Sequence, residues 1–70
     1  MIGDNIKFYR KKNQLTQDDI AEACNVTRQA VSKWENGESL PTVDNLYALS
    51  RLLHTSVDDI LIGEKERDDE

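Results

Sequence analysis

Apolar residues recur along this chain at intervals of three and four and nowhere alternate in the strand manner, so the hydrophobic pattern predicts helices from end to end. Ile2, Ile6 and Tyr9 predict a first helix from about residue 3 or 4 to residue 12, with Asn13 able to end it. Ile20, Ala21 and Cys24 share one face of a second, over 17–24, and Asn25 after it tolerates the left-handed backbone of a tight turn. A third, over 28–35, turns Val31 and Trp34 inward and stops at Asn36-Gly37, a turn dipeptide. After Pro41 a fourth, over about 43–53, carries Leu46, Leu49, Leu52 and Leu53 on its stripe. A short fifth, over about 57–62, supplies Val57, Ile60 and Leu61 before Gly63 closes it.

Side-chain oxygens mark four of the five starts, because Ser and Thr accept hydrogen bonds from the first amides of a helix, which have no partner within it. These are Thr16, Thr27, Thr42 and Ser56. Thr16-Gln17-Asp18-Asp19 and Ser56-Val57-Asp58-Asp59 both resemble capping boxes with Asp in the place of Glu. They also set carboxylates where the helix dipole favours them. Residues 64–70 are charged without an apolar member and read as an acidic flexible tail or the start of a linker, leaving 1–63 as the single domain.

The second and third helices are separated by a turn of three or four residues, with small Ala21 near the elbow and Val26 plugging it. That arrangement leaves one face of the third helix outward. Arg28, Gln29, Ser32, Lys33 and Asn36 lie on it, all hydrogen-bonding residues, and Arg, Gln and Lys have the donors for base edges in a major groove. Taken alone, a polar outer face is ordinary for any helix in water.

Composition narrows the reading. Seventy residues, 37% of them hydrophobic and 33% charged, make one small soluble helical domain. Cys24 is the single cysteine, which rules out an internal disulfide and gives no zinc-ligand spacing. With no apolar run of membrane length and no signal-peptide pattern at Met1-Ile2-Gly3-Asp4, the chain is expected in the cytoplasm. The net charge of −5 argues against a polyanion partner until its distribution is considered. Residues 1–36 hold six basic and five acidic side chains, and 37–70 hold three basic against nine acidic, so the acid lies in the back half.

From Ile2 to about Gly63 the chain resembles the Cro/cI-type (XRE-like) helix-turn-helix family. The residues that carry the likeness are Ile6, Arg10-Lys11, Leu15-Thr16-Gln17, Ile20-Ala21, the string Val26-Thr27-Arg28-Gln29-Ala30-Val31-Ser32-Lys33-Trp34-Glu35-Asn36-Gly37, then Pro41, Leu46, Leu49 and Val57-Asp58-Asp59-Ile60-Leu61. The resemblance implies an all-α fold, a compact five-helix bundle of the lambda-repressor type with the helix-turn-helix formed by helices 2 and 3. It implies a transcriptional regulator, commonly a repressor, that binds double-stranded DNA operators as a homodimer. By position, Arg28, Gln29 and Lys33 look like the family's base readers, and Gln17 like its phosphate-contacting glutamine. Thr27, Ser32 and Asn36 look like further phosphate contacts, and Arg10 and Glu35 are similar to a pair tying the first helix to the third. Two departures stand out: Asn25 where many members have Gly, and few basic residues after Lys33.

No catalytic triad, metal-ligand cluster or Gly-rich phosphate loop is spelled out, so neither an enzyme nor a cofactor is expected. The competing reading is a protein-interaction module, antitoxin-like or adaptor, that keeps the fold and binds a partner through its acidic back half. Among single residues, Trp34 reads as a core anchor, Phe8 as half-exposed, Cys24 as a small core residue and His54 as a solvated residue at a helix end. Self-association, which the resemblance implies, is expected at the fifth helix and the loop before it, around His54, Thr55 and 60–62.

Overall fold

The computed structural model describes residues 1–63, so the reading of 64–70 as a tail or linker lies outside the described residues. Five α-helices follow one another: α1 (Ile2–Lys12), α2 (Gln17–Cys24), α3 (Arg28–Asn36), α4 (Val43–Leu52) and α5 (Val57–Ile62). Among the described residues there is no strand, and no helix is long and apolar enough to cross a membrane.

The four oxygen caps form as the sequence requires. Thr16, Thr27, Thr42 and Ser56 accept from the backbone N–H of Asp19, Ala30, Asn45 and Asp59. At α2 the box is complete, since Asp19 Oδ2 also accepts from the Thr16 N–H at 2.8 Å. At α5 the Asp59 carboxylate instead accepts from the Thr55 hydroxyl at 3.1 Å, so the box expected there takes a different form. α1 starts at Ile2, earlier than expected, with no side-chain cap. Its start rests instead on packing: Gly3 is buried against the end of α3, where a Cβ would fall on the Trp34 carbonyl oxygen and within 2.7 Å of that of Glu35.

Four helix ends share one device, in which a residue with left-handed backbone lets the next N–H reach back five positions, satisfying a carbonyl the helix leaves over. Gln14 (φ 61), Asn25 (φ 59), Gly37 (φ 80) and His54 (φ 57) take that conformation. The returning bonds are Leu15 N–H to Arg10 O at 3.0 Å, Val26 to Ala21 at 2.9 Å, Glu38 to Lys33 at 2.9 Å and Thr55 to Ser50 at 3.0 Å. Asn13 adds a second fastening at the end of α1. Its side-chain amide donates to Tyr9 O at 2.8 Å and Leu53 O at 3.1 Å, fastening the end of α1 to the end of α4.

The core is Ile6, Tyr9, Ile20, Ala21, Cys24, Val31, Trp34, Leu49, Leu53 and Ile60, drawn from α1, α2, α3, α5 and the α4 region. Leu46 and Leu52 are half-buried against it, Val57 is half-buried, and Leu61, expected inside, is 41% exposed. In a six-residue helix only one turn faces the core, and Ile60 takes that place. Phe8 is half-buried, packed edge-on to Tyr9 at 5.2 Å between ring centroids. Asn5 is buried and donates to Ile60 O at 2.8 Å, joining α1 to α5. A polar side chain at such a depth is tolerable because its amide finds that acceptor.

Candidate nucleic-acid interface

The turn between α2 and α3 is Asn25-Val26-Thr27. Asn25 takes the left-handed conformation, half-buried Val26 packs against the core and Thr27 caps the next helix, so three consecutive residues set the angle of α3. Val31 and Trp34, 0% and 4% exposed, hold its inner side.

Glu35 holds that side as well. Arg10 Nε donates to Glu35 Oε2 at 2.7 Å and Nη2 to Oε1 at 3.2 Å, a two-pronged pair whose side chains are 12% and 3% exposed. The remaining guanidinium nitrogen donates to Leu15 O at 3.0 Å, and Gln17 Nε2 donates to Glu35 Oε1 at 3.1 Å. The start of α2, the end of α1 and the inner side of α3 therefore meet on one buried carboxylate. Replacing such a buried pair by apolar residues is often neutral, whereas removing one partner leaves an uncompensated charge.

The outer side of α3 is different. Arg28, Gln29, Lys33 and Asn36 are exposed and Ser32 is half-buried. At 100° per residue these five positions occupy an arc of roughly 140° on a helix about 13 Å long. No carboxylate belongs to that arc, because Glu35 is turned inward. Thr27 sits exposed at the head of the helix, its hydroxyl accepting from the Ala30 N–H at 3.1 Å. Gln17 is half-buried beside α3, in an open groove lined by Arg10, Leu15, Thr16, Asp18 and Arg28. The seven side chains read from the sequence as DNA contacts thus gather along α3 and the start of α2.

Some features had no signal in the sequence. Asp18, at the start of α2, lies with its Oδ1 4.0 Å from Arg28 Nε, a contact between two exposed side chains that no spacing rule picks out. Of the residues expected at a self-association surface, Ile60 is 0% exposed and cannot serve, while Ile62 is 78% exposed. Exposed Leu40, Val43 and Tyr47 make a second apolar group at the start of α4, with Arg51 Cζ 5.7 Å from the Tyr47 ring centroid. Cys24 is buried, and burial pushes its thiol pKa up.

Comparison with known proteins follows this geometry closely. A sequence profile described as helix-turn-helix matches residues 6–60. The HTH-type transcriptional regulator DicA of Escherichia coli (strain K12) is 41% identical over 66 residues, which cover 94% of this chain and 49% of DicA. The P22 c2 repressor, of Salmonella phage P22, in complex with a synthetic operator superposes with a TM-score of 0.85 at 36% identity, covering 91% of this chain and 97% of that one. The N-terminal DNA-binding domain of SinR from Bacillus subtilis superposes with a TM-score of 0.82 at 33% identity, covering 93% and 94%. The chain spans about half the length of DicA, and only 30% of the full P22 repressor. With the profile match running from the middle of α1 into α5, and its five helices superposing on those repressor domains, the chain belongs to the Cro/cI-type helix-turn-helix family.

Proposed function

We propose that the chain binds double-stranded DNA in a sequence-specific manner as the reading domain of a transcriptional repressor, with α3 in the major groove. The observation that carries this reading is the two-sided character of α3. Its inner side is locked by Val31, Trp34 and the Arg10–Glu35 pair, while its outer side offers an arc of donors and acceptors with no carboxylate. A helix that must insert into a groove needs both a fixed angle and an unobstructed polar face. Arg28, Gln29 and Lys33 read base edges, Arg and Lys on guanine and Gln on adenine. Gln17, Thr27, Ser32 and Asn36 contact phosphates. The amide of Gln17 is oriented for this by its bond to Glu35, which uses one of its two N–H donors.

The chain acts by binding, without catalysis, in the cytoplasm. Two copies side by side present two α3 helices about 34 Å apart, one turn of DNA, to a twofold-symmetric operator. A single module of this size buries too little surface to bind tightly. Exposed Leu61 and Ile62 at the end of α5 supply apolar area for that pairing.

Selection of bound sequences from a random duplex pool, repeated at two salt concentrations, tests the proposal. A short palindrome with affinity that falls as salt rises is the expected result. Arg28→Ala and Gln29→Ala should relax the selected sequence while leaving the fold intact. No enrichment at low salt would instead favour a protein-interaction module on this fold.

A further inference from the structure

The guanidinium of Arg28 has a partner within the chain: its Nε lies 4.0 Å from Asp18 Oδ1. Asp18 is the second residue of α2 and Arg28 the first of α3, so the pair bridges the two helices at the groove that Gln17 also lines. As an ion pair it contributes little to folding, since the side chains are 67% and 72% exposed. Nor does Asp18 make the cap of α2, because Asp19 makes both bonds of that box. What matters is the edge of the guanidinium that the carboxylate meets. A guanine presents O6 and N7, which the two Nη groups of an arginine engage end-on. Asp18 approaches the Nε edge, the one that such a contact leaves unused.

We propose that Asp18 is a positioning residue for base recognition, holding the Arg28 fork by its Nε edge so that both Nη groups face one guanine. The proposal rests on the DNA-binding reading above. The contact biases Arg28 toward one rotamer, so part of the freedom that an exposed arginine loses on binding is lost beforehand and the cognate contact forms at lower entropic cost. The same restraint keeps the guanidinium from swinging to the nearest phosphate at non-cognate sites, where a free arginine adds affinity without reading sequence. The carboxylate itself repels phosphates in every complex, which lowers affinity uniformly and leaves discrimination unchanged. Positioning and repulsion therefore predict different patterns across sequence.

The test uses the duplex enriched by the unaltered chain together with its single-base-pair variants. Arg28→Ala first identifies the base pair that Arg28 reads, as the position at which preference disappears. Asp18→Asn should then weaken preference at that same base pair by about two- to fivefold, and at no other. Glu22→Gln, which removes an equal exposed charge one turn along the same face of α2, should change affinity evenly with every preference intact. Should Asp18→Asn behave like Glu22→Gln, the proposal is overturned and Asp18 is only a repelling charge. Loss of no base preference in Arg28→Ala also overturns it while DNA binding stands, whereas failure of the unaltered chain to enrich any duplex overturns the binding reading itself.

Discussion

Removing either partner of the Arg10–Glu35 pair strands the other charge in a nearly dry site, so Arg10→Met or Glu35→Leu should each cost about 3–5 kcal/mol. Replacing both together should recover most of that loss, because no unpaired charge remains. Denaturant titrations of the two single variants and the double variant measure the difference. If the double variant is as unstable as the sum of the singles, the cost lies in lost packing and not in the charge. Gly3→Ala should also destabilise the chain, by roughly 1–3 kcal/mol, since the added methyl meets the backbone carbonyls of Trp34 and Glu35 and neither can yield without moving α3. The Cys24 thiol, buried and with its pKa raised, should react slowly with an alkylating reagent at neutral pH until the chain is unfolded. Arg10 and Glu35 could be paired from the sequence only through family resemblance, because 25 positions separate them and periodicity says nothing of which helices meet. Gly3 and Asn5 gave no such hint, for both roles depend on a neighbouring helix that only the folded chain supplies.

At the scale of helices, the short segments here depend on their ends, since α2, α3 and α5 have only 8, 9 and 6 residues. Thr27→Ala removes the cap that sets the entry of α3 and should cost about 1 kcal/mol. Gln14 and His54 hold left-handed backbone with ordinary side chains, so Gln14→Gly and His54→Gly should each stabilise the fold by roughly 0.5–1 kcal/mol, the relief of strain exceeding the added chain entropy. Thermal denaturation checks both, with a rise of a few degrees expected for each. The starts of α2 to α5 were legible because a cap lies within three residues of the amide it serves, and the same locality made Asn25 and Gly37 readable as turns. Gln14 was not, as its residue type does not mark a left-handed position, and His54, a type enriched there, reads from the sequence only as a solvated residue at a helix end.

For the molecule as a whole, charge is unevenly shared: residues 1–36 carry a net +1 and the remaining 34 a net −6. Few phosphates can be neutralised by so weak an excess, and the fall of affinity with salt should be correspondingly shallow. Self-association should respond to the other end of the molecule, with Ile62→Glu weakening it in sedimentation measurements while a monomer still folds. The five-helix fold could be read ahead because its apolar stripes, caps and turn residues all agreed, whereas the pairing surface could not, since the pattern sets Ile60 and Leu61 alike toward the core and only the fold buries the first and exposes the second. The claim on which everything else depends is that the outer side of α3 meets DNA. Titrating the isotopically labelled chain with its enriched duplex and following backbone amide resonances tests it most directly. Perturbations concentrated at the start of α2 and along α3, from Thr27 to Asn36, are what the arrangement predicts. Perturbations gathered on α5 around Leu61 and Ile62, with α3 unmoved, would contradict it.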